Sequence, residues 1–116
     1  MNILLVDDDD LILASVPSLL GILGHQVVSV DRGAKALALL EAEPLPDLVI
    51  MDVTMPAMGG VETLRRLRTF RPELKVLLAT GNVDAAVEEA MAGDPYTRVI
   101  PKPFTLGQIR TMLQDT

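Results

Sequence analysis

The run Leu48-Val49-Ile50-Met51 restricts the fold more than any other stretch of this 116-residue chain. It is bounded by Pro46-Asp47, is too short for a helix and lacks the alternation of a half-exposed strand. It reads as a strand buried on both faces, as in parallel sheets covered by helices on each side. Asp52 follows at its carboxyl end, then a loop of turn formers, Pro56, Gly59 and Gly60. In open α/β sheets the crevice beyond the strands' carboxyl ends is where ligands bind, so Asp52 is the first candidate for chemistry.

The rest of the chain repeats that unit. Asn2 to Val6 is a short apolar run ending in Asp7-Asp8-Asp9-Asp10. The next segment has apolar residues at near-helical spacing from Leu11 to Leu23, with Asp9 or Asp10 placed to cap its start and Gly24 its end. Pro17 lies well inside that helix and is expected to kink it. Strand two is read over Val27 to Val30, and a helix from Gly33 through Ala42, ended by Pro44-Leu45-Pro46. Val61, Leu64 and Leu67 mark a third helix stopped before Pro72. Val76 to Ala79 is strand four, followed by a helix from about Val83 to Met91. Arg98 to Ile100 is a short fifth strand, and Thr105 caps a last helix carrying Leu106, Ile109, Met112 and Leu113. Five βα units specify one α/β domain over residues 1–116, with a five-stranded, doubly wound parallel sheet of the flavodoxin-like kind. Right-handed crossovers favour the strand order 2-1-3-4-5.

Composition removes several function classes. Without cysteine there is no disulfide framework and no Cys-based zinc or redox site. Sixteen acids against ten bases give a net charge of −6, which argues against direct nucleic-acid binding. The amino-terminal residues lack a basic region, and the longest apolar stretch is interrupted by Ser15, Pro17 and Ser18, so neither a signal peptide nor a membrane span is expected. The expected location is cytoplasmic.

The residues that close each strand carry the chemistry. Strand one ends in Asp7-Asp8, strand three in Asp52, strand four in Thr80 and strand five in Lys102. In the order 2-1-3-4-5 these strands are contiguous, so three carboxylates, a hydroxyl and an ammonium are expected in one crevice. A lone Asp at a strand end is ordinarily a turn or cap residue, and Asp9 and Asp10 are read that way; the coordinated pattern is the signal. Two carboxylates ~4 Å apart repel by roughly 4 kcal/mol at an effective dielectric of 20, so three need a raised pKa or a cation. An all-oxygen acidic site suits Mg²⁺, which usually pairs with substrate phosphate. Lys102 would meet a phosphate oxygen, Thr80 would donate a hydrogen bond, and a carboxylate among them could attack phosphorus to give an aspartyl phosphate. Arg65, Arg66, Arg68 and Arg71 are read as a solvated helix face.

Ile3-Leu4-Leu5-Val6-Asp7-Asp8-Asp9, Asp52 with Met55-Pro56 and Gly60, Leu78-Ala79-Thr80-Gly81, and Lys102-Pro103-Phe104 together make the chain similar to the CheY-like receiver domains of two-component response regulators. The resemblance spans essentially the whole length. It implies the same strand order, so that topology is not independent support. It further implies that Asp52 is a phosphoacceptor served by a sensor histidine kinase or a phosphotransfer protein. Asp7, Asp8, Asp52 and the backbone carbonyl of Thr54 would hold Mg²⁺, Thr80 would be the switch hydroxyl and Lys102 its charge partner. It implies a cis Lys102-Pro103 bond, and a phosphorylation-dependent switch of the face made by helix four, strand five and helix five, read by a downstream target or a fused output domain. Such a domain assists its own phosphorylation and dephosphorylation and is not a turnover enzyme. The family often carries an aromatic residue three positions before the lysine; here it is Val99.

Two alternatives compete. A phosphohydrolase of the haloacid-dehalogenase kind would need a second Asp two residues after the nucleophile, where this chain has Thr54. A pseudo-receiver signalling without phosphate is suggested by Val99.

Overall fold

A computed structural model describes residues 1–114. The elements run β1 (Asn2–Val6), α1 (Asp10–Ile22), β2 (Gln26–Val30), α2 (Gly33–Leu40), β3 (Leu48–Asp52), α3 (Gly60–Arg68), β4 (Val76–Thr80), α4 (Ala85–Met91), β5 (Thr97–Pro101) and α5 (Leu106–Gln114). The five strands form one parallel sheet in the order β2-β1-β3-β4-β5, as the βα repeat predicts.

Alternation along fully buried strands divides the core in two. Leu4, Val6, Val49, Met51, Val76 and Leu78 face α2, α3 and α4, joined by Leu40, Leu64, Leu67 and Val87. Ile3, Leu5, Leu48, Ile50, Leu77 and Ala79 face the other way, onto Val16, Leu20, Ile109 and Leu113 of α1 and α5. Every residue of β3 and β4 is buried, which is why Leu48 to Met51 shows no alternation in sequence. The register sets Val6 beside Met51, Asp52 beside Ala79 and Thr80 beside Pro101, so the strand tips finish close to one level.

Local chemistry places the helix ends. Asp9, not Asp10, is the N-cap of α1: its Oδ1 accepts the amide N–H groups of Leu11 (2.8 Å) and Ile12 (3.4 Å). Gly24, at φ +90°, turns the chain after that helix. The helix continues across Pro17. α4 starts two residues later than the sequence suggests because Asp84 caps it, accepting the Val87 N–H at 3.0 Å. α2 stops at Leu40, two residues earlier than expected, as the chain turns toward Pro44.

At the amino end of the sheet, Arg68 corrects the expectation of a solvated arginine face. Its Nε donates to Asp94 Oδ2 at 2.9 Å, its Nη1 to the carbonyls of Arg71 and Leu74, and its Nη2 to Thr97 Oγ1 at 2.8 Å. Thr97 in turn donates to Asp94 Oδ2 at 2.6 Å, and the Tyr96 amide to Asp94 Oδ1 at 3.0 Å. Arg71 donates to the Leu40 carbonyl at the end of α2 (2.9 Å). Arg65 and Arg66 do sit in solvent, paired with Glu62.

Candidate functional site

The site begins with β1 and β3 delivering their last side chains to the same rim. Asp7 follows Val6 directly and is 2% exposed; Asp52 ends β3 and is 6% exposed, while Asp8 is exposed. One carboxylate oxygen from each of Asp7, Asp8 and Asp52 lies within 4.8 Å of the other two. Lys102, just past β5, sets its Nζ 2.9 Å from Asp7 Oδ2 and 3.3 Å from Asp52 Oδ2. The backbone supplies two more donors: the Asp9 N–H to Asp7 Oδ1 (2.9 Å) and the Thr54 N–H to Asp52 Oδ1 (3.2 Å).

The loop after Asp52 can fold under the strand tip because Gly60 has no side chain. A Cβ there would lie 2.4 Å from the Asp52 carbonyl oxygen and 2.9 Å from Val53 Cα, closer than any real contact. In its place the Gly60 N–H donates to the Val53 carbonyl at 2.9 Å. Within that loop Ala57 takes φ +65°, a left-handed conformation that costs a residue with a Cβ roughly 1–2 kcal/mol. The Lys102-Pro103 peptide is cis, as the family resemblance implies, and Glu43-Pro44 is a second cis bond that the sequence did not signal.

Thr80 ends β4 and is buried, but its hydroxyl is committed to the next loop. It donates to the Asn82 carbonyl at 2.8 Å and accepts the Asn82 N–H at 3.1 Å. The Lys102 N–H donates to the Thr80 carbonyl at 2.9 Å, tying β5 to β4 at the rim. Of the sequence-predicted residues, the fold therefore joins Asp7, Asp8, Asp52 and Lys102 side chain to side chain. Thr54, exposed, reaches Asp52 through its amide. The partner the sequence did not disclose is Asn82, which holds the Thr80 hydroxyl.

The electrostatics are out of balance. Three carboxylates against one ammonium leave two negative charges in a partly buried crevice. Burial raises the Asp52 pKa, and the Asp7 charge adds to that; Lys102 and the Thr54 N–H pull the other way without winning. Burial alone would lower the Lys102 pKa, but its hydrogen bond to Asp7 and the charges of Asp7 and Asp52 raise it. The donor set fits a hard divalent cation: three carboxylates converge, the chain has no cysteine, and its one histidine, His25, precedes β2. A cation of charge two would offset the excess.

Comparison with known proteins agrees with this geometry. The family model for the response regulator receiver domain matches residues 3–114. The response regulator MprA of Mycobacterium leprae is 35% identical over 125 aligned positions covering all of this chain, and the sensor kinase CckA of Brucella abortus 32% over 115. This chain corresponds to 52% of the MprA length and 12% of the CckA length. Among solved structures, the chemotaxis protein CheY4 of Vibrio cholerae superposes with a TM-score of 0.88 at 27% identity, covering 98% of this chain and 96% of that one. The receiver domain of a sensor histidine kinase from Pseudomonas aeruginosa, crystallised with a magnesium ion in its active-site cleft, gives 0.86 at 24%, covering 98% and 94%. The tips of β1, β3 and β5, which gather three acids and a lysine on a sheet ordered β2-β1-β3-β4-β5, are thus those of a member of the response regulator receiver domain family.

Proposed function

We propose that the chain accepts a phosphoryl group on Asp52 and switches its α4-β5-α5 face in response. One observation carries this: Asp52 is buried, kept from full ionic balance, and lies within 4.8 Å of Asp7 and Asp8. In the transfer, an Asp52 carboxylate oxygen forms a bond to phosphorus while the bond from phosphorus to the donor breaks. The donor is a phosphohistidine of a sensor kinase or phosphotransfer protein, or a small acyl phosphate. Asp7, Asp8, Asp52 and the Thr54 carbonyl would hold Mg²⁺, which when bound supplies positive charge to the phosphoryl oxygens. Lys102, 3.3 Å from Asp52, is placed to meet one of those oxygens as a point charge.

The switch would run through Thr80. Its hydroxyl must leave both bonds to Asn82 to reach a phosphoryl oxygen, which frees the loop leading into α4. α4 is suited to move: it has seven residues, one of them, Val87, buried. Val99 packs half-buried against the α2-α3-α4 core where many family members hold an aromatic ring, so transmission is assigned to the Thr80-Asn82 loop. The domain assists its own phosphorylation and is not a turnover enzyme. Its work is done through protein partners, a kinase or phosphotransfer protein upstream and a target or output domain downstream. No helix among the described residues is long and apolar enough to cross a membrane.

Incubation with acetyl phosphate and Mg²⁺ should add one phosphoryl group by intact mass, and Asp52→Asn should remove it. An unmodified wild-type chain under these conditions, or an Asp52→Asn chain labelled as fully as wild type, overturns the reading.

A further inference from the structure

The two edges of the sheet are defended differently. β5 carries a charge, Arg98, and a proline, Pro101, both of which discourage an added strand. β2, the opposite edge, reads Gln26-Val27-Val28-Ser29-Val30, with neither charge nor proline. Val28 is 60% exposed and shares an apolar groove with Leu39, itself 47% exposed, beside Pro44 and Leu45.

The backbone of this edge has a defined phase. The Gln26 N–H donates inward to the Met1 carbonyl, and the Val30 carbonyl accepts inward from the Asp7 N–H. Successive residues alternate, so Gln26, Val28 and Val30 turn their backbone groups to β1, while Val27 and Ser29 turn theirs outward. A strand lying antiparallel here with a two-fold axis through Val28 would set Val27 of one chain opposite Ser29 of the other, twice. Each such pair exchanges two N–H···O bonds, about four in all, and leaves Val28 against Val28 as the close, non-hydrogen-bonded pair. Continued past the ends of β2, the same register sets Asp31, already paired with Arg32 and Lys35 of its own chain, opposite His25, and Arg32 opposite Gly24. No like charges meet along the seam, although the chain as a whole carries −6.

We propose that β2 is a pairing edge for a second copy of this chain, joining two sheets antiparallel about Val28. The occupant is a second copy because the edge is complementary to itself in hydrogen-bond phase and apolar contact and sets no like charges against each other. The proposal does not depend on phosphoryl acceptance.

Sedimentation of the wild-type chain from micromolar to about 1 mM should show passage from 12.5 kDa to twice that mass. Val28→Lys, at an exposed position, should keep its circular dichroism and its acetyl phosphate labelling and lose the dimer. Because the chain has no cysteine, Val28→Cys offers an independent check. Opposed non-hydrogen-bonded residues stand about 4.5 Å apart between Cα atoms, within disulfide range, so mild oxidation should give a covalent dimer. Leu11→Cys, more exposed at 74%, is the control and should cross-link far less. A wild-type chain that stays monomeric throughout, or equal cross-linking at the two positions, overturns the proposal.

Discussion

The two ends of the sheet are built from the same kinds of group. At the amino end, Arg68, Asp94 and Thr97 gather with backbone carbonyls of Arg71 and Leu74, and each polar atom of the guanidinium has a partner within 3 Å. At the carboxyl end, Lys102 sits 2.9 Å from Asp7 and 3.3 Å from Asp52, and Asp7, Asp8 and Asp52 converge within 4.8 Å. One cation meets one carboxylate in the first cluster; in the second it meets two, Asp7 and Asp52, with a third, Asp8, beside them. The sign of the pKa shifts follows. Burial raises Asp94, but bonds from Thr97, Arg68 and the Tyr96 amide outweigh it and leave its pKa lowered; the pKa of Asp52 is raised. A satisfied cluster holds structure together, whereas an unbalanced one stores a demand that a cation can meet.

Breaking the satisfied cluster should have the largest effect on stability. Arg68→Met leaves Asp94 half-buried without its cation and frees two carbonyls, which should cost about 3 kcal/mol in urea unfolding. Phosphoryl labelling at Asp52 should persist in that variant under native conditions. Equal stability of variant and wild type would show that the cluster is ornamental, and the contrast would fail.

Removing a charge from the unbalanced cluster should act in the opposite direction. Asp52→Asn relieves a like-charge repulsion of ~3 kcal/mol against a lost Lys102 contact, for a net gain of about 1 kcal/mol at neutral pH. The pH dependences sharpen this. A raised folded-state pKa means the ionised form of Asp52 burdens the fold at neutral pH, a burden relieved as pH falls through that pKa. A depressed one means Asp94 contributes stability above its unfolded pKa, near 3.9, that is lost as pH falls through the lower folded value. On acidification the difference between wild type and Asp52→Asn should therefore fade first, and that between wild type and Asp94→Asn last. Urea midpoints measured across the acid range would check the order.

The smallest effect concerns the loop between the site and α3. Ala57→Gly removes the Cβ cost of φ +65° at some expense in unfolded-chain entropy, so a gain of about 0.5 kcal/mol is expected in thermal unfolding. A loss would mean that the Ala57 side chain contributes contacts that outweigh its backbone cost.

What the sequence disclosed and what it hid divide along the same line. The strand tips were legible because Asp7, Asp8, Asp52, Thr80 and Lys102 each directly follow or end a short apolar run, and parallel topology carries the tips to one level. The amino-end cluster was not. Arg68 occupies the same polar stripe as Arg65 and Arg66, and its partners Asp94 and Thr97 lie 26 and 29 residues away, a pairing that no local pattern encodes. The Asn82 hold on Thr80 was hidden for another reason: it uses backbone atoms, which every residue has. Helix ends moved by two residues where the apolar pattern did not mark the cap: α4 starts after Asp84, and α2 stops at Leu40 ahead of Pro44.

The central claim, that the carboxyl-end crevice is a charge-deficient phosphoryl site coupled to α4 through Thr80, is most directly tested by amide NMR shifts on adding Mg²⁺ and then beryllofluoride. The expected result is that Mg²⁺ moves amides of residues 7–9 and 52–54, and that beryllofluoride extends the change through Thr80, Gly81 and Asn82 into α4 and to Lys102, with Asp52→Asn silent to the second addition. Spectra that leave the amides of Asp7, Asp8 and Asp52 in place, or that shift them while Asn82 and α4 stay unchanged, would contradict it.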